Sequence, residues 1–133
     1  MSGRSVAVMS IRSRHASRIF AGRKPYEFRR RAPRVTPGTK ILIYETAPIS
    51  AVTGEAIVTA VEAGSASNLS SLEPDDAERP EVFAYLDGAR SPVALRLSSV
   101  VRYERARSLL EFGAVRAPQS YQFVEDPWGT SQS

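Results

Sequence analysis

The side chains best suited to chemistry lie within six consecutive positions: Lys24, Glu27 and Arg29 bring an ammonium, a carboxylate and a guanidinium onto one short stretch. In an extended strand, residues two apart share a face, so Glu27 and Arg29 point the same way and can pair. Lys24 has the opposite parity. It joins them only where the chain bends, and Pro25 allows that bend. Such a set offers a cation for a phosphate and a carboxylate that accepts from the amino group of a base. The same lysine and glutamate would transfer protons if their surroundings displaced their pKa values. As solvent-exposed pairs they would contribute only about 0–1 kcal/mol.

The neighbourhood of this cluster is basic and aromatic. Arg30, Arg31 and Arg34 extend it as contacts for phosphates, which would make binding salt-dependent. Tyr26, Phe28 and Tyr44 could stack on a base, with core packing the competing role, above all for Phe28. Tyr44 ends an apolar run, where its hydroxyl could face a cleft. Thr46 and Ser50 flank Pro48 in the following loop. Ser120 follows Gln119 and offers a hydroxyl to a ligand or to a turn. His15 is the only histidine, and no partner for it is evident, so neither a Ser-His-Asp triad nor a zinc site is indicated. There is no P-loop and no dinucleotide fingerprint, so no cofactor is expected.

The charge is unevenly spread. Residues 1–40 carry +10 and residues 41–133 carry −6, for a net +4 over 133 residues. Of the basic side chains nearly all are arginine, whose planar fork matches phosphate and stacks on bases. A basic segment beside an acidic remainder points to a polyanion such as RNA or a nucleotide. The absence of cysteine excludes disulfide scaffolds, thiolate metal sites and cysteine nucleophiles. No apolar run approaches the ~20 residues of a membrane span, and the expected setting is cytoplasmic.

The elements that must position these residues can be read from pattern. Residues 5–11 form a first strand, and Ser13 caps a helix closed at Gly22. From Tyr26 the chain is extended, with Tyr26 and Phe28 on one face and Glu27 and Arg29 on the other. Ile41–Tyr44 is apolar throughout, as in a central strand. Residues 51–61 form another strand, in which Gly54 marks a bulge or close approach. Residues 64–79 read as the least structured part. Pro80 opens a short helix ending at Gly88. A long strand over 92–103, a helical turn over 107–112 and a last strand over 120–124 follow. Residues 1–125 make one domain, and 126–133 form a flexible tail in which Trp128 could dock back. The fold class is α+β: a small mixed, mainly antiparallel β-barrel of about five or six strands with two or three short helices.

The segment Gly22-Arg23-Lys24-Pro25-Tyr26-Glu27-Phe28-Arg29 matches the pattern G-x-K-x-x-E-x-R and resembles the signature of the ASCH domain family. The likeness continues through Pro37–Tyr44, Ala51–Ala56, Ala94–Leu97, Val100–Tyr103 and the Pro-Gln-Ser-Tyr element ending at Tyr121. It implies a barrel similar to the PUA domain, with Lys24, Glu27 and Arg29 lining a cleft that binds RNA, a nucleotide or a modified nucleoside. The alternative it implies is a small hydrolase with Lys24 as general base. The acetylcytidine-type amidohydrolases of the family carry threonine where Glu27 stands, which removes their nucleophile here. A ribonuclease would need a set such as Tyr26 or Tyr44 with Lys24 and Ser120.

Overall fold

A computed structural model of the chain describes residues 5–113 and 116–125. The expected tail at 126–133, with Trp128, lies outside the described residues. The chain runs β1 (Ser5–Ile11), α1 (Ser13–Phe20), β2 (Tyr26–Arg29), β3 (Lys40–Glu45), β4 (Ala51–Ala63), α2 (Ala66–Ser70), α3 (Arg79–Leu86), β5 (Val93–Arg107), a 3-10 turn (Leu109–Phe112) and β6 (Tyr121–Glu125). The strands form one six-stranded sheet in the order β2-β5-β4-β3-β1-β6. β1 and β3 are parallel, and every other neighbouring pair is antiparallel.

The Ile41–Tyr44 run is apolar on both faces because both are covered. Ile41 and Ile43 pack with Met9, Ile11, Ala56 and Leu95, under Ala16 and Ile19 of α1. Leu42 and Tyr44 pack on the other side with Val8, Val52, Phe112 and Val124. A third cluster joins Tyr26 and Phe28 to Leu69, Val82 and Leu86, so α2 and α3 cover the outer face of β2. Glu27 and Arg29 are thereby turned the opposite way, as their parity requires.

β4 and β5 pair along most of their length, with register shifts at Val52/Gly54, Glu55/Ile57 and Val58/Ala60. Such irregularities bend and twist a strand pair, and the sheet curls into a half-barrel. Gly54 sits where the curl brings α1 close: an added Cβ would collide with the Phe20 ring and the Val101 carbonyl oxygen. The two ends of the sheet, β2 and β6, do not pair with each other. Arg29 bridges them instead. Its Nη2 donates to the Ser10 carbonyl oxygen at 3.0 Å and its Nη1 to Ser120 Oγ at 3.2 Å.

Two local expectations change. Ser13 is the first helical residue, and Arg12 holds the cap position without a side-chain capping bond. Residues 64–79 are also far from structureless. Ser65 caps α2 by accepting from Asn68 N, and Leu69 and Glu73 are buried.

Candidate functional site

The bend needed to bring Lys24 beside Glu27 exists and is held by backbone hydrogen bonds. Gly22 takes φ +77°, and the amides of Arg23 and Lys24 both donate to the Arg18 carbonyl oxygen, at 2.9 and 3.2 Å. The Pro25 carbonyl oxygen then accepts from Leu97 N at 2.8 Å, which starts β2 against β5. Lys24, Glu27 and Arg29 are all buried, at 4%, 8% and 8% exposure. They line one cleft of about 310 Å3, together with His15, Thr46 and Gln119. Arg12, Glu78, Glu81 and Tyr85 complete much of its rim and far wall.

Buried charges require partners. Glu27 Oε2 accepts from Arg29 Nη2 at 3.0 Å. Lys24 Nζ lies 3.6 Å from Glu73 Oε1 and 4.7 Å from the centroid of the Phe28 ring. Glu73 is the hub that the sequence pattern missed. It is fully buried, and its Oε2 accepts from Arg18 Nη2 at 2.9 Å and from Asp75 N at 3.1 Å. The Ser65 cap marks a short helix before it, but nothing in the segment marks Glu73 itself for burial. Arg18 and Arg14 extend the network to Glu78, which ties α1 to the chain around α3.

The electrostatics of the two central groups differ. Burial pushes Lys24 below the ordinary lysine range, further than Glu27 and Glu73 raise it. Burial alone would raise the Glu73 carboxyl, but the Arg18 hydrogen bond, the Asp75 amide and Lys24 outweigh it and hold it below the usual carboxylate value.

The other sequence candidates divide. Ser120 lies at the seam with its Oγ bonded to Arg29. Arg30 and Arg31 are exposed; Arg30 Nη1 donates at 2.7 Å to the carbonyl oxygen of Tyr85, at the cleft rim. Tyr26 and Tyr44 do not line the cleft. Strand parity turns Tyr26 outward, where its hydroxyl donates to Glu62 at 3.0 Å and the Arg96 guanidinium lies over its ring. Tyr44 packs in the second core cluster with Val52 and Phe112. Among the described residues, no helix is long and apolar enough to cross a membrane.

A curled six-stranded half-barrel with a charged cleft at its seam is the PUA-like architecture. The solved structure of an ASCH protein from Zymomonas mobilis superposes with TM-score 0.75 at 27% identity, covering 90% of this chain and 87% of that one. A variant of it with a tyrosine changed to phenylalanine gives TM-score 0.76 at 26% identity, covering 93% of both chains. A serine-to-alanine variant gives 0.76 at 25% identity, covering 96% and 93%. An ASCH domain-containing ribonuclease of Z. mobilis is 38% identical over 66 residues, which are 50% of this chain and 45% of that protein. The ATP synthase alpha subunit of Ureaplasma parvum is 25% identical over 121 residues, 89% of this chain but 15% of the subunit. The chain thus spans less than half the length of either curated relative. No family model matches. In fold and over most of its length the chain is similar to ASCH-domain proteins.

If Glu73 compensates Lys24 and Arg18, Glu73→Ala leaves the buried Lys24 without its ion-pair partner and Arg18 with only Glu78 and Asp75, and costs about 3–5 kcal/mol in chemical denaturation. The acid limb gives a second readout. A depressed carboxyl stabilises the fold above its unfolded value and loses that contribution as pH falls through the folded one. The wild type therefore loses stability as pH drops below the ordinary 4.5, and Glu73→Gln has a flatter acid limb.

Proposed function

We propose that this chain binds RNA, reading a single base or nucleotide in the seam cleft and holding the flanking backbone on its arginine-rich rim. The observation that carries this reading is the cleft wall itself: a buried ammonium and a buried carboxylate–guanidinium pair facing a hollow of about 310 Å3. That volume lies near the lower end of ligand sites, roughly 300–1,000 Å3, and suits one nucleotide rather than a stretch of strand. A wall with donors and acceptors fixed by burial is what discrimination between base edges needs. Arg30, Arg31 and Arg34 are exposed beside it and supply the electrostatic part of binding. The ribonuclease name of the Z. mobilis relative supports RNA as the polymer.

The rim is tested by salt dependence. Each phosphate contact on a single strand contributes about 0.7 to the slope of log affinity against log salt. Changing Arg30, Arg31 and Arg34 to Ala should weaken binding of a short single-stranded RNA and reduce that slope by about 2. An unchanged slope removes the rim from the interface.

A second reading, cleavage of RNA with Lys24 as general base, is favoured by the burial that holds Lys24 toward its neutral form. Ser120 stands nearby on Arg29, whereas neither Tyr26 nor Tyr44 is on the cleft wall. Under this reading purified protein shortens RNA, and Lys24→Met abolishes the cleavage while the fold, followed by circular dichroism, is retained. Full cleavage by that variant excludes Lys24 as the base. The amidohydrolase reading has no support here, because Glu27 occupies the nucleophile position and is paired with Arg29.

A further inference from the structure

The sequence assigns His15 no partner, but the fold brings it to the cleft wall. His15 lies in the first turn of α1, half-buried, beside Lys24 and Glu27. Its Nδ1 is closed off from solvent and has no hydrogen-bond partner. A ring with one nitrogen shut away has only Nε2 to present to a ligand.

The charged groups facing this ring come from every element around it: Arg14 on α1, Lys24 on the following loop, Glu27 on β2 and Glu81 on α3. Burial and then Lys24 hold the imidazole below its ordinary range, against the opposite pull of Glu27. The ring is thereby held toward its neutral form, which accepts a hydrogen bond at Nε2 in the tautomer that carries its proton on Nδ1. Beside it, Lys24, Arg12 and Arg29 are donors only, and Glu27 shares its Oε2 with Arg29.

We infer that His15 is a ligand contact of the cleft, its neutral imidazole accepting from an N–H on the Watson–Crick edge of a nucleobase while Lys24 donates to the acceptor beside that N–H. This rests on the reading of the cleft as a base site and adds the polarity of the edge that the site takes. A ligand that uses the neutral ring as acceptor must disfavour its protonation, so binding and His15 titration are linked.

The chain has one histidine, so imidazole nitrogen resonances report His15 alone. They are followed against pH in the full wild-type chain, free and saturated with adenosine, cytidine, guanosine or uridine, with inorganic phosphate as a comparison. Binding of a short RNA is measured in parallel. At least one nucleoside should lower the pH at which the ring titrates, and a one-unit drop corresponds to about tenfold weaker binding to the protonated protein. His15→Phe keeps a ring but loses the acceptor; it should weaken that nucleoside about tenfold and remove the pH dependence. A titration unmoved or raised by a bound nucleoside overturns the inference, as does a phenylalanine variant that binds like the wild type with the same pH dependence. RNA binding with His15 unmoved by nucleosides overturns this inference alone. Failure of RNA and nucleosides alike to bind removes the base-site reading and this inference with it.

Discussion

An ammonium group taken out of water is tolerated only when something replaces its hydration, and Lys24 is almost entirely buried. Its replacement shell is sparse: the carboxylate of Glu73 at 3.6 Å and the face of Phe28 at 4.7 Å. The rest of the site follows from that constraint. Glu73 must be buried to reach Lys24, so the chain between β4 and α3 folds down as α2 and a tight turn. Arg18 and the Asp75 amide then hold Glu73 ionised. Removing Glu73 leaves the buried Lys24 without its ion-pair partner, so the network sets the position of Lys24 as well as its protonation.

Arg29 plays the corresponding part on the other side of the cleft. A six-stranded sheet that curls without closing has a seam, and strands at a seam expose unpaired backbone. Arg29 reaches across it from β2 to Ser10 on β1 and to Ser120 just before β6, while Glu27 balances its charge. The same side chain thus fastens the barrel and walls the cleft. A site built on that junction is positioned by the fold itself, which is the arrangement that precise recognition requires. The exposed arginines that follow lie on the same strand exit, so backbone contacts and base contacts would share one entrance.

Much of this could be read from residue order. Two-residue periodicity placed Tyr26 and Phe28 opposite Glu27 and Arg29, and the apolar run at Ile41–Tyr44 marked a strand covered on both faces. The bend at Pro25 followed from local chemistry. What could not be read was tertiary. Glu73 lies in a stretch rich in Ser, Asp and Pro, and only the long-range approach of Arg18 and Lys24 makes its burial favourable. Tyr44 carries no mark in its own segment that it would be covered by Phe112, which is supplied from far along the chain. His15 reads as an unattached side chain until α1 is laid against β2 and α3. Local pattern fixes direction along each element, whereas distant elements decide which buried charges meet.

The central claim is that the buried ionic wall at the seam receives a nucleobase. The most direct measurement is a crystal structure of the protein soaked with the ribonucleoside that binds it best. The account predicts the base in the seam cleft, its polar edge against His15 and Lys24, with the Glu27–Arg29 pair and the contact of Arg29 with Ser10 intact. A nucleoside bound on another face, with the cleft unchanged, would contradict it.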